Sequence, residues 1–328
     1  MPIPSQRGSK ASVKANNHQY ENFGHDHDFC DALATRRILE TEVGTLNITA
    51  VLLELNSAIS SWHFQATAAI AAANNNANSS FDTNDITPLR AFYKANALLD
   101  RALKEIAFIH DNPEGHHDLL RGEVMTKIDV DVFDRVLDCW RQALHFRIGN
   151  SHLGSVKSKS TSTEIAASTQ LPFMGQAILE KCSDAASKYQ HSGYLCHPGT
   201  RSYNIVLDCY ASLQMEQAAL HLMSKMQHKF DDVPDKKSAK SPQFFPDTTS
   251  YNILISMYEK SKRRDSGKKA EELLGRMESQ YLAGNEQVRP NLTSYNQTIR
   301  ALENCHNDAA ADRIVMRMHQ AYLDGHEL

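Results

Sequence analysis

The chain has 328 residues, 35 of them basic and 39 acidic, for a formal net charge of −4 at pH 7. An apolar content of 41% can bury a core, which excludes a wholly disordered chain. The charge is not the footprint of a polycationic nucleic-acid binder, and no apolar run approaches the roughly 18 residues that a membrane-spanning helix needs.

In chain order, residues 1–27 read as a polar, disordered tail. The first part of it carries Arg7, Lys10 and Lys14 among Ser5, Ser9 and Ser12, with no acid before Glu21. That is the composition of an organelle transit peptide, and a plain disordered tail is the alternative. Apolar spacing predicts a helix over Asp28–Thr41, with Phe29, Leu33, Ile38 and Leu39 near one face. A second covers Leu46–Ala73 and dissolves into an Ala/Asn tract. A third starts at Pro88, which suits a first helical turn, and runs through Ile109. A fourth covers Val130–Arg147. Gly149–Thr169, rich in Ser, Thr and Lys, reads as an insertion. A fifth helix runs from Pro172 to His191. No stretch alternates as a strand would, so the expected fold class is all-α.

Six cysteines stand at 30, 139, 182, 196, 209 and 305, and none forms a Cys-x-x-Cys pair. They read as reduced thiols, mostly small buried apolar residues.

From Thr200 onward the sequence repeats. Ser202-Tyr203-Asn204 recurs as Ser250-Tyr251-Asn252 and Ser294-Tyr295-Asn296. Each copy leads into an apolar run, a polar break and a second helix ending in Met226, Met277 or Met318. An Ala stands seven residues before each Met (Ala219, Ala270, Ala311), and Leu222, Leu273 or Ile314 stands four before it. A small residue and an apolar stripe at fixed offsets describe a repeated helix pair. Pro198-Gly199, Pro246-Asp247 and Pro290-Asn291 precede the copies, with proline stopping one pair and Asp or Asn suited to cap the next.

The Ser-Tyr-Asn start, the Ala-x6-Met second helix and the Pro-Asp or Pro-Asn close resemble the pentatricopeptide repeat (PPR) family. That resemblance implies an α-solenoid of helix-turn-helix repeats with long inter-repeat insertions. The expected units are 200–247, 248–291 and 292–328. A degenerate repeat with an insertion covers 130–199, and 28–129 is helical with further degenerate repeats. The surplus length lies mainly in Gln227–Phe245 and Gln280–Arg289, and the first of these, polar and lysine-bearing, reads as a loop.

The resemblance also implies a function: sequence-selective binding of single-stranded RNA, one base per repeat, in organelle RNA processing, stability or translation. The reading residues carried over are Asn204 with Asp247, Asn252 with Asn291, and Asn296 with His326 at the nominal close. The family's pattern implies uracil for Asn with Asp and cytosine for Asn with Asn. A short amide can donate to and accept from a base edge, and caps of each first helix are the alternative role for these residues. The run Lys260–Lys269 holds Lys260, Lys262, Arg263, Arg264, Lys268 and Lys269 against the single acid Asp265. It reads either as a solvated turn or as a set of phosphate contacts.

The resemblance places the protein in a mitochondrion or plastid, with cytoplasm as the alternative, and its partner is single-stranded organellar RNA. The other reading is a helical-repeat scaffold with protein partners. No enzymatic activity and no cofactor are expected. His-x-Glu with Cys-x-x-Cys and a phosphate-binding Gly-x4-Gly-Lys loop are both missing from the sequence. His25-Asp26-His27-Asp28-Cys30 reads as a chance polar cluster, not a metal site. Residues 200–328 carry 17 of the 35 basic and 17 of the 39 acidic residues, so the −4 belongs entirely to residues 1–199.

Overall fold

The structure is a computed structural model. It describes residues 41–43, 53, 56–57, 59–60, 88–112, 130–152, 162–189, 195–231, 245–261 and 263–323. Among these the protein is all-α. The helices are α1 (Pro88–Asp111), α2 (Val130–His152), α3 (Ser162–Lys188), α4 (Thr200–Ser212), α5 (Glu216–Asp231), α6 (Thr248–Lys260), α7 (Ser266–Leu282), α8 (Leu292–Asn304) and α9 (Asp308–Leu323). A 3-10 turn, Glu286–Val288, joins α7 to α8. The expected helices over Asp28–Thr41 and Leu46–Ala73 lie almost wholly outside the described residues, although Ile59 is buried in the core.

The helices pack in two rows. The first helices α2, α4, α6 and α8 touch in succession, and α1 packs on α2. The second helices lie against them: α3 on α2 and α4, α5 on α4 and α6, α7 on α6 and α8, and α9 on α8. Sequence explains each row. α1 buries Phe92, Leu98, Leu99, Ile106 and Ile109 at helical spacing, each apolar side chain contributing about 1.5–3 kcal/mol. In the second helices the Ala and the aliphatic of every repeat are buried, as are Met226 and Met277, while Met318 is half-buried. The repeat tyrosines Tyr203, Tyr251 and Tyr295 are buried too. Each joins its phenol to the preceding second helix: Tyr203 to Ser183, Tyr251 to Gln227 (3.0 Å) and Tyr295 to Glu278 (3.1 Å).

Two expectations about segment boundaries are corrected. The fifth helix begins at Ser162, inside the expected insertion, so Pro172 lies within α3 and not at its start. Leu171 is buried, and its carbonyl accepts the Trp140 indole N–H at 2.7 Å, so that turn is tied to α2. The surplus segments are partly structured as well. α5 continues to Asp231, and after Gly284 turns the chain at φ +95 the 3-10 turn inserts Val288 fully into the core.

Three of the cysteines, Cys139, Cys182 and Cys209, are buried, and Cys196 and Cys305 are half-buried. Burial pushes the Cys139 and Cys182 thiols up to about 12, so they stay protonated at neutral pH. No helix among the described residues is long and apolar enough to cross a membrane.

Two glycines test the packing in opposite senses. A Cβ on Gly175 would stand 2.5 Å from the Trp140 ring, which its hydrogen bond holds in place. Gly175→Ala is expected to destabilise by about 1–3 kcal/mol. A Cβ on Gly275, inside α7, meets nothing within 4 Å, so Gly275→Ala is expected to stabilise by about 0.5–1 kcal/mol. Thermal unfolding followed by circular dichroism reads both.

Candidate nucleic-acid interface

The expected reading residues sit at the junctions between successive first helices. Asp247 and Asn291 are N-caps in extended backbone (φ −115 and −126). Each closes a capping box with the serine three residues on. The Asp247 carboxylate accepts the Ser250 backbone N–H at 2.8 Å, and the Ser250 hydroxyl accepts the Asp247 N–H at 3.1 Å. Asn291 and Ser294 repeat this at 3.1 and 3.2 Å. The capping role weighed for Asn204, Asn252 and Asn296 falls instead on Asp247 and Asn291, since those three asparagines lie inside α4, α6 and α8. The two caps also face the amide of the preceding unit.

That amide completes the cluster. Asn204 Nδ2 donates to Asp247 Oδ1 at 3.1 Å, and the Ser250 hydroxyl lies 2.6 Å from Asn204 Oδ1. One junction along, Asn252 Nδ2 donates to Asn291 Oδ1 at 3.3 Å, and the Ser294 hydroxyl lies 2.7 Å from Asn252 Oδ1. The structure therefore brings together two of the three expected pairs. Asn296 is half-buried one turn into α8, and its nominal partner His326 lies outside the described residues.

The preceding junction keeps the serine and changes the rest. Asp134 stands where the other units have Asn, and accepts the Ser202 hydroxyl at 2.5 Å. Gly199 is the N-cap and offers no side-chain bond. Arg201 lies 3.5 Å from the second Asp134 oxygen.

Both Asn-containing clusters open onto grooves along the row of first helices. The first, of about 400 Å³, lies between α2, α4 and the start of α6, with Asn204 and Asp247 on its wall. The second, of about 230 Å³, continues between α4, α6 and α8, with Asn252, Ile253 and Gln297. Asp208 and Thr249 line both. Charge in the first groove is mixed. Arg141 is paired with Asp138 at 2.7 Å, and Asp208 and Asp247 add carboxylates.

The basic run divides. Lys260 lines the second groove and is exposed, as are Arg264 and Lys268, the last 3.9 Å from Glu272. Lys262 lies outside the described residues. Arg263 and Lys269 instead converge on Glu216, at the start of α5, at 2.6 and 2.7 Å, and the Tyr258 hydroxyl donates to the same carboxylate at 2.9 Å. The Lys269 hydrogen bond holds the Glu216 carboxyl below its ordinary range, helped by Tyr258 and Arg263 and opposed by partial burial.

Sequence reasoning missed the serines' cross-junction bonds and a second repeated link. Thr200 Oγ1 donates to the Phe245 carbonyl at 3.0 Å, and Thr248 Oγ1 to the Arg289 carbonyl at 2.7 Å. In each case the acceptor lies two residues before the next N-cap. Leu292 holds the corresponding place in α8 and has no hydroxyl. The recurrence of Thr at the first position of two units was the available signal. Among the described residues no three His, Cys, Asp or Glu side chains gather as a metal site, and the His25–Cys30 cluster lies outside them.

The chain matches no family model and no curated protein.

Asp134 supplies a test of the junction chemistry. Burial holds its carboxyl above the ordinary value, outweighing the Ser202 hydrogen bond and the Arg201 guanidinium, which lower it. A carboxyl raised on folding binds more protons folded than unfolded. Its contribution to stability is therefore lost as pH rises from the unfolded value, near 3.8, through the folded one. Asp134→Asn keeps an acceptor for Ser202 and removes the buried charge. It is expected to raise stability at pH 7 by about 1 kcal/mol and to flatten the pH dependence of the thermal midpoint above pH 4.

Proposed function

We propose that this protein is a sequence-selective single-stranded RNA-binding protein, built as an α-solenoid of PPR-like units and acting in organelle RNA processing, stability or translation. The observation that carries the reading is the Asn–cap–Ser cluster, repeated at two adjacent junctions and opening each time onto a groove along the same row of helices. An amide in such a cluster keeps one donor and one acceptor site free for a base edge, and successive junctions present them at successive positions. Asn204 with Asp247 and Asn252 with Asn291 are the reading pairs, for a pyrimidine run. Among the described cations of the basic run, Lys260, Arg264 and Lys268 are exposed and not drawn to Glu216, and are left to meet phosphate. The organelle assignment rests on the family resemblance and on the acid-free first 20 residues with Arg7, Lys10 and Lys14.

One observation favours the scaffold reading instead. Asp138, Asp208 and Asp247 in a single groove would suit a cationic peptide side chain as well as a base.

Fluorescence anisotropy with labelled oligonucleotides decides between them. The expected result is binding of single-stranded pyrimidine-rich RNA at low salt, weakened at least about tenfold in the Asn204→Ala, Asn252→Ala double variant. The salt dependence should be shallow, reflecting few phosphate contacts. No RNA binding at low salt, or an unchanged double variant, overturns the reading. Binding of a Lys/Arg-rich peptide that the same two substitutions abolish favours the scaffold.

A further inference from the structure

We propose that Ser250 and Ser294 are positioning residues that fix which way the Asn204 and Asn252 amides face the grooves, and thereby set base selectivity at each junction. This rests on the RNA reading above, and adds to it residues that would touch no base.

The argument follows the protons. A serine hydroxyl has one proton to give. Ser250 Oγ already accepts the Asp247 backbone N–H at 3.1 Å, so its own proton points elsewhere. Two acceptors are in reach, Asn204 Oδ1 at 2.6 Å and Asp247 Oδ1 at 2.9 Å. The second is already served by the Ser250 N–H at 2.8 Å and by Asn204 Nδ2 at 3.1 Å. The shorter contact to the less occupied oxygen takes the proton. At the next junction the distances are 2.7 Å to Asn252 Oδ1 and 3.0 Å to Asn291 Oδ1, with the same prior claims on the cap oxygen.

Both amides are therefore oriented from two sides. Their oxygen is held by a hydroxyl and their nitrogen by a cap oxygen that only accepts. A flipped amide would set its oxygen against that cap oxygen with no proton between them, against a carboxylate at Asp247. Ser250 and Ser294 are fully buried, so they cannot meet a ligand themselves. What reaches the groove is one N–H and one lone pair in a fixed order. Uracil and cytosine differ in the order of donors and acceptors on the edge that such an amide meets, so an amide free to turn would tell them apart less well.

The test measures the full-length protein against single-stranded RNAs carrying UU, UC, CU or CC at one dinucleotide within adenines. Ser250→Ala is expected to narrow the uracil–cytosine preference at one of the two bases by about fivefold and to leave the neighbouring base unaffected. Ser294→Ala should do so at the other base, and Ser250→Thr, which keeps the hydroxyl, should restore the preference. An equal loss of affinity for all four RNAs, or unchanged preference at both bases, overturns the proposal. So does loss of the helical circular-dichroism signal in both alanine variants, which would assign the serines to folding alone. Wild-type protein that binds none of the four RNAs overturns the RNA reading itself, and this inference with it.

Discussion

Ser202, Ser250 and Ser294 are fully buried where one first helix meets the next, and a buried hydroxyl must give its proton to a partner or cost stability. At all three junctions the acceptor is a side chain of the preceding unit. The bond links two first helices, and at Ser250 and Ser294 the same hydroxyl also closes the capping box of its own helix. It fixes where each first helix starts relative to its predecessor, and so where Asn204 and Asn252 meet the grooves. The threonine-to-carbonyl links at Thr200 and Thr248 act on the same ends of the same helices.

Packing supplies the stability that these polar links direct. The tyrosines of each unit lie in the core with their hydroxyls tied to a neighbouring second helix. Tyr210 and Tyr258 add a further turn of the same kind, at 3.1 Å to Gln176 and 2.9 Å to Glu216. Alanines at 219, 270 and 311 leave room for close helix approach. Gly267 does so between α7 and α8, where a Cβ would lie 3.0 Å from the Leu302 backbone. Where the repeat pattern fades, Trp140 against Gly175 does the equivalent work between α2 and α3.

Much of this was legible in the sequence. Helical period and Pro88 placed α1, and the Ala, Leu and Met offsets identified the second helices of the repeats. Recurrence marked the Asn and Pro-Asp or Pro-Asn positions, and the family resemblance implied their pairing. What was not legible involves partners far apart in the chain. Ser250 reads only as the first residue of a recurring Ser-Tyr-Asn, because its amide partner Asn204 stands 46 residues earlier. Lys260–Lys269 reads as a free basic run, because Glu216, which engages two of its members, is about 50 residues away. Pro172 reads as a helix start because proline favours a first turn, and nothing local announces that Trp140 secures the turn around it.

The convergence of Arg263, Lys269 and Tyr258 on Glu216 has a kinetic consequence. Glu216 and Asp265 together offset Arg263 and Lys269 at contact distance, so the field of that segment rests on its remaining cations and is screened beyond a Debye length of about 8 Å at physiological salt. A polyanion diffusing toward the protein would feel that attraction only at short range. At physiological salt its association would run near the ordinary rate of roughly 10⁵–10⁷ M⁻¹s⁻¹, and discrimination among such ligands would lie in how long each one stays.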